Sequence, residues 1–235
     1  MHSTFGTSRL VRLLDPWARV DADRSGMDVA ERTSLWIGPL DAIRLQAAHQ
    51  AIPATPATAP RRPARSQAIA ALEEDVQRVR GVLAKAIAQD PLALANLEPD
   101  DPGVSYAPFR QRQLELQRQM EQMVAALRDH VRQAVAAVSP RLRQLAALDA
   151  ALEEVLAARE QKLLPTAATL LERRFHQLRR AHLQPTDAAE PGGDRPGAWL
   201  PAFTRDWHQA LLAELALRLE PVAGLLDARR NEHEP

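Results

Sequence analysis

A nearly unbroken helical pattern runs from Pro108 to Leu183 and constrains the fold more than any other feature of the chain. In its first half, large apolar residues recur at steps of three and four positions, which places them along one side of a helix. Charged residues such as Arg112, Glu115, Arg128 and Arg132 stand between them. The pattern predicts a long helix with one face to bury. Its apolar positions are Leu116, Met120, Met123, Val124, Leu127, Val131, Val135 and Val138.

Ser139-Pro140 divides this stretch into two helices. Ser accepts a hydrogen bond from the first turn of a helix, and Pro fits the first helical position, where its missing N–H is no loss. Within the second helix, Pro165 predicts a kink or a short break near residues 163–164. We expect an antiparallel hairpin, extended by the other helices or by a second copy of the chain. The apolar positions of the second helix are Leu142, Leu145, Leu148, Leu152, Val155, Leu156, Leu163, Leu164, Leu170, Leu171, Phe175 and Leu178.

The chain has few aromatic side chains with which to fill a core. It contains four Phe, four Trp and one Tyr, so Leu and Ala must do most of the packing. Both are strong helix formers, and Val and Ile never alternate with polar residues as a strand requires. The sequence predicts an all-α protein, an elongated helical bundle around a long central hairpin with coiled-coil-like packing, and no β-sheet.

Charge and cysteine content exclude several classes of protein. The 30 basic residues are balanced by 30 acidic residues, so the chain as a whole lacks the field of a general nucleic-acid binder. There is no Cys, which excludes disulfides, thiolate nucleophiles and zinc sites built on Cys. Neither a signal-peptide core nor an uncharged run of about 18 apolar residues occurs. We expect a soluble, cytoplasmic protein without membrane insertion.

Proline-rich stretches divide the chain into segments. Residues 53–65 contain four Pro and no large apolar side chain, and residues 184–198 are rich in Pro and Gly, as in extended or flexible linkers. The predicted segments are a small helical module (1–52), a Pro-rich linker (53–65), the central hairpin bundle (66–183), a flexible linker (184–198) and a C-terminal amphipathic helix (199–235).

Several local expectations accompany this division. In the N-terminal module, Gly38-Pro39 separates a predicted helix at residues 28–37 from another at residues 40–52. The residues expected to face inward are Leu35, Trp36, Leu40, Ile43 and Ala47. Ser66 is expected to cap the next helix.

Two further expectations concern the central and C-terminal segments. Tyr106 and Phe109 are expected to hold the loop before the hairpin against it. Pro221 is expected to kink or divide the last helix.

No catalytic signature emerges from the sequence. The chain has no phosphate-binding Gly-Lys-Ser/Thr loop, no Gly-x-Gly-x-x-Gly after a strand and no nucleophile elbow. None of the seven His has a Glu three residues before it, as a helical di-iron site would need. We therefore predict no catalytic, cofactor-binding or metal-binding residue, and a protein that is not an enzyme.

One polar set lies close to the apolar seam of the second long helix: Asp149, Glu153, Arg159 and Glu160. Arg159 falls seven residues after Leu152, where a heptad would place an apolar residue. One interpretation is a buried ion network that fixes helix register or binds a partner. The other, which we favour, is a set of surface charges whose aliphatic stems lie along the helix.

A second set marks a candidate partner-binding region at the end of that helix. Arg173, Arg174, Arg179 and Arg180 form a basic end that could bind an acidic partner or nucleic acid. Cations near a helix C-terminus also suit its dipole, and this simpler interpretation is the favoured one. Trp199 and Trp207 of the last helix are candidate partner-binding residues because that amphipathic helix needs a surface to cover it, either its own chain's or a partner's.

Several short segments are spread over nearly the whole chain: Leu35-Trp36-Ile37-Gly38, Asp41-Ala42-Ile43, Tyr106-Ala107-Pro108-Phe109-Arg110, Ser139-Pro140, Ala158-Arg159-Glu160, Leu170-Leu171-Glu172 with Phe175, Leu211-Leu212-Ala213-Glu214-Leu215, Arg218-Leu219 and Pro221-Val222-x-Gly224-Leu225. Together they resemble a bacterial all-helical family classed only as a domain of unknown function. No activity or catalytic residue comes with that resemblance. It implies a cytoplasmic accessory of a cell-envelope assembly, since such proteins tend to be encoded beside envelope proteins that resemble proton-channel and peptidoglycan-binding components.

The expected function is therefore that of a structural or adaptor protein acting through helix-mediated contacts with a protein partner or a second copy of the chain. The alternative is a nucleic-acid-associated protein that uses the Arg-rich helix end.

Overall fold

The computed structural model describes residues 9–14, 16–17, 38–50, 62–90, 104–183 and 199–232, apart from the side chains of residues 62–68 and 158–166. These residues form helices and contain no strand, which confirms the all-α prediction. The helices are α1 (Arg9–Leu14), α2 (Pro39–Gln50), α3 (Arg62–Ala88), α4 (Ala107–Ala136), α5 (Pro140–Leu183) and α6 (Trp199–Asn231). The predicted helix at residues 28–37 and both predicted linkers, apart from the start of α3, lie outside the described residues.

Helix α4 buries the predicted apolar stripe. Leu116, Met120, Val131 and Val135 are almost fully buried, and Met123 is the member of the stripe that stays partly exposed. The spacing of three and four positions is therefore sufficient to identify the buried face of this helix.

Ser139 caps α5 as its chemistry predicts. Its Oγ accepts a hydrogen bond from the backbone N–H of Leu142 at 3.1 Å and donates one to Glu232 Oε1 at 2.6 Å. The first bond satisfies one of the amide groups that a helix start leaves without a partner.

The sequence predicts a kink or a break at each internal proline, and the structure contradicts the break. Helix α5 is continuous from Pro140 to Leu183, so the break predicted near residues 163–164 is absent, and α6 likewise continues through Pro221. A proline removes a single backbone hydrogen bond, and the bonds of the neighbouring turns are enough to keep the helix intact.

Helix α3 starts earlier than predicted, at Arg62 rather than at Ser66. Pro63 is its second residue, and a proline in the first turn costs nothing because the amide groups there have no partner within the helix. The last residues of the predicted Pro-rich linker are thus helical.

The chain divides into two compact units, each assembled from separate stretches of sequence. Among the described residues, unit 1 contains 9–14, 16–17, 80–90, 104–121, 164–183 and 199–217, and unit 2 contains 38–50, 62–79, 122–163 and 218–232. Helices α3 to α6 each supply residues to both units. The five-segment division stays a prediction about the sequence.

Candidate interaction surface

The structure places Trp199 and Trp207, the candidate partner-binding residues of the last helix, inside unit 1. Both are buried in unit 1, where Trp199 lies 5.3 Å from Phe175 and Trp207 lies 5.7 Å from Phe109, measured between ring centroids. The C-terminal helix therefore packs on its own chain. Residues 199, 203 and 207 lie one turn apart on α6, so all three rings point to the same side.

The rings of unit 1 form one group, here called the aromatic cluster. Phe203 lies edge-on to Phe109 and to Phe175 at 5.1 and 5.0 Å. Edge-to-face pairs at these distances add about 0.5–1.5 kcal/mol each to the stabilisation that burial provides. The members of the aromatic cluster are Tyr106, Phe109, Phe175, Trp199, Phe203 and Trp207.

Tyr106 stands directly before α4 and bonds to α5; of the loop that it is predicted to hold, residues 91–103 lie outside the described residues. Its hydroxyl lies 3.1 Å from the carbonyl oxygen of Ala168 on α5 and 3.2 Å from Gln113 Oε1. Burial raises the pKa of Tyr106, the charge of Glu172 raises it further, and Arg110 opposes both effects. The phenol is therefore a neutral hydrogen-bonding group.

Polar side chains are also buried in unit 1, and sequence patterns gave no sign of them. Asp90 is fully buried and accepts a hydrogen bond from Arg112 Nε. Nearby, burial lowers the pKa of His208, while the charge of Asp90 acts in the opposite direction. Gln117 donates a hydrogen bond to the buried Glu214 at 2.9 Å. Each of these two buried carboxylates therefore accepts a hydrogen bond.

The arginines predicted as one basic end have different surroundings. Arg174 is bound to Asp206 at 2.9 Å, and its guanidinium lies 5.7 Å from the ring of Trp17. Arg173 and Arg180 are exposed, and Arg179 lines a groove in unit 1. Because Asp206 on α6 pairs with Arg174, the predicted basic end has one unpaired charge fewer.

In unit 2, Asp149 and Glu153 take part in an ion-pair network between α4 and α5. Arg128 donates to both oxygens of Asp149, at 2.9 and 2.6 Å, and Arg132 donates to Glu153. Two further pairs, at 3.4 and 3.5 Å, link the same four residues. The side chains of the other two predicted members, Arg159 and Glu160, lie outside the described residues.

In the sequence, Arg128 and Arg132 only stand among the charged residues between the apolar positions of α4. A match in spacing between the two helices would have identified them. Arg128 and Arg132 are four residues apart, and so are Asp149 and Glu153. Each pair thus occupies adjacent turns of one face, so two facing helices can form both contacts.

Helix α2 exposes the side predicted to face inward. Leu40 is 75% exposed and Ile43 is 62% exposed, and Ala47 on the same side is exposed as well. The prediction failed because α2 also carries Leu45 and Ala48 on another side, and these are the partly buried ones. We call the exposed side, made of Leu40, Ile43 and Ala47, the α2 surface.

Polar contacts hold α2 against α5 within unit 2. Arg44 lies 3.2 Å from Glu154, and Gln144 Nε2 lies 2.8 Å from His49 Nδ1 and donates to the carbonyl oxygen of His49 at 3.0 Å. At the start of α2, Gly38 N donates to Asp41 Oδ2, which closes one half of a capping box. These contacts fix the orientation that exposes the α2 surface.

Helix α5 is also more exposed in unit 2 than its pattern predicted. Leu145, Leu152 and Leu156 are each more than a third exposed, whereas Leu142 and Ala146 are buried. Asp149 and Glu153 occupy part of the side of α5 that faces inward in unit 2. The leucine stripe on this half of the helix is therefore turned partly outward. The stretch of α5 that contacts α2 therefore adds apolar area to the outside of unit 2.

The described residues offer neither a cluster of metal ligands nor a membrane-spanning helix. They contain no group of three or more His, Asp or Glu side chains placed to hold a metal ion. None of the described helices combines the length and apolarity that a membrane span requires.

Comparison with known proteins gives one result. No curated protein and no solved structure matches the sequence. A family match covers residues 1–231, nearly the full length of the chain. The chain belongs to the family described as "Protein of unknown function (DUF3348)".

Proposed function

We propose that this protein is a non-enzymatic structural or adaptor protein, and that it binds a helix of a protein partner through the α2 surface. The observation that carries this proposal is the exposure of Leu40 and Ile43, at 75% and 62%. Full burial of a Leu or Ile side chain stabilises a complex by about 1.5–3 kcal/mol. A partner that covered both would thus gain a useful part of its binding free energy here.

The spacing of the α2 surface suits a helical partner. Leu40, Ile43 and Ala47 stand three and four residues apart, so they form one ridge along α2. Such ridges pack into the groove of a facing helix. Leu145 and Leu152, on the stretch of α5 that α2 contacts, are each 37% exposed as well.

The resemblance to the family suggests a setting for this contact. We propose that the partner belongs to a cell-envelope assembly and that the adaptor lies on its cytoplasmic side. Both parts of that setting belong to the proposal.

The test is a pull-down from native lysate with the full-length protein, treated with nuclease so that nucleic-acid bridges are removed. The wild type and a Leu40→Gln/Ile43→Gln variant are compared by mass spectrometry. We expect the variant to lose a protein that the wild type retains, while its circular dichroism stays that of the wild type because both side chains are exposed.

The matched control is Val82→Gln, which removes an exposed apolar side chain from α3 in unit 1. It should keep the same partner. Light scattering separates a second copy of the chain from a different protein, since self-association would then be lost in the double variant. Identical captures by the wild type and the double variant would contradict the proposal, and capture that nuclease abolishes would favour a nucleic-acid role instead.

A further inference from the structure

A groove of about 580 Å³ lies in unit 1, between the start of α4 and the end of α5. Three arginines line it: Arg110 and Arg118 from α4, and Arg179 from α5. Glu115, Glu172 and His176 also line the groove. Its charge is thus mixed, with arginines outnumbering carboxylates.

The arginines of α4 are arranged in a row. Arg110, Leu114 and Arg118 follow one another at intervals of four residues, so they lie along one side of the helix. The two guanidinium-bearing positions are about 12 Å apart at the helical rise per residue. Leu114 stands between them and is 42% exposed.

The carboxylate beside this row already has partners. Glu115 accepts hydrogen bonds from Arg112 at 3.0 Å and from Gln111 at 3.3 Å, and the bond to Arg112 is the main cause that lowers its pKa. The charge of Arg118 also lowers the pKa of Glu115, but neither Arg110 nor Arg118 lies within 4.0 Å of a carboxylate that the structure describes. Two guanidinium groups are thus available to a ligand at this groove.

We propose that this groove binds an acidic segment of a protein partner, with two carboxylates about 12 Å apart for Arg110 and Arg118 and an apolar side chain between them for Leu114. Guanidinium groups bind carboxylates through paired, charge-assisted hydrogen bonds. Nucleic acid fits less well, because Glu115 and Glu172 would face its phosphates. The site is separate from the α2 surface and does not depend on it.

The probe is a short fluorescein-labelled peptide of glutamate and leucine, added to the full-length protein and followed by fluorescence anisotropy. We expect binding that weakens with added salt. Arg110→Gln and Arg118→Gln should each weaken it by about tenfold, the loss expected for one hydrogen bond to a charged group. Arg118→Lys should bind more tightly than Arg118→Gln but less tightly than the wild type. Lysine carries the positive charge but lacks the planar guanidinium group.

Controls make the outcomes distinct. Arg205→Gln removes an exposed arginine of unit 1 that does not line the groove, and it should bind the peptide as the wild type does. The Leu40→Gln/Ile43→Gln variant should also bind normally, so failure of the α2 surface would not count against the groove.

Three results would overturn the proposal. The first is no binding of the acidic peptide, and the second is equal binding of a peptide with glutamine in place of glutamate. The third is tighter binding of oligothymidylate that the same arginine variants weaken, which would assign the groove to nucleic acid.

Discussion

The interiors of the two units are built from different kinds of side chain. Unit 1 is filled by the aromatic cluster, in which Phe175 contacts four other aromatic rings of the cluster. Unit 2 contains aliphatic residues such as Val131 and Leu142, together with the ion-pair network of Arg128, Arg132, Asp149 and Glu153. Aromatic rings fill volume in unit 1, whereas the described interior of unit 2 combines aliphatic side chains with paired charges. Variants of the two interiors should therefore respond differently.

The largest effect is expected from the aromatic cluster. Phe175→Ala removes a fully buried ring and leaves a cavity, so it should lower the free energy of unfolding by about 4 kcal/mol. Urea denaturation followed by circular dichroism measures this change.

Leu217→Ala is the matched control in unit 1, because it truncates an exposed side chain. Its effect should stay within roughly 0.5 kcal/mol. A similar loss in both variants would mean that the aromatic cluster does not dominate the stability of unit 1.

The second effect concerns the network of unit 2. Asp149→Asn takes one carboxylate from Arg128 and Arg132, whose side chains are only 15% and 13% exposed. Leaving partly buried guanidinium groups with one shared acid should cost about 2 kcal/mol, between the values for exposed and buried pairs. The same denaturation experiment reports it.

An exposed pair in the same unit serves as its control. Glu154→Gln breaks the contact with Arg44, whose members are 69% and 61% exposed, and should change stability by roughly 0.5 kcal/mol or less. If both substitutions had the same small effect, the network would be a set of surface charges, as the favoured sequence interpretation held.

The smallest effect is a pH dependence that arises in unit 1. Burial lowers the pKa of His208 below its ordinary value of 6.5, so the unfolded chain takes up a proton at a higher pH than the folded one does. Below pH 6.5, the unfolded state therefore binds more protons, and the contribution of this group to stability falls as the pH falls.

His208→Gln should accordingly lose less stability than the wild type between neutral pH and mildly acidic pH. Above neutral pH the imidazole is uncharged in both states, so the wild type and the variant should change in parallel there. An equal acid-side loss in both proteins would show that His208 does not contribute to this dependence.

The fold class and much of the helix pattern could be predicted because they depend on local chemistry. The apolar stripe of α4 follows from its spacing, and Ser139 caps α5 because its hydroxyl and the following Pro140 suit a helix start. The burial of Tyr106 and Phe109 could be expected because both are large aromatic side chains at the edge of an amphipathic helix. No knowledge of distant residues is needed for these predictions.

Most of the candidate site could not be predicted, since it depends on which helix each side chain meets. An apolar stripe with Trp199 and Trp207 requires a cover, but its spacing is the same whether the chain or a partner provides that cover. Helix α2 has apolar residues on two sides, and contacts of Arg44 and His49 with α5 decide which side is exposed.

The sequence alone therefore determined the helices, their main caps and the need for buried apolar faces. Tertiary structure decided which charges are paired and which apolar side chains remain outside. Arg128 and Arg118 look alike as arginines between the apolar positions of α4, yet Arg128 meets Asp149 and Arg118 lines a groove. Periodicity fixes the side of a helix on which a residue lies, whereas its partner is fixed only when distant segments pack together.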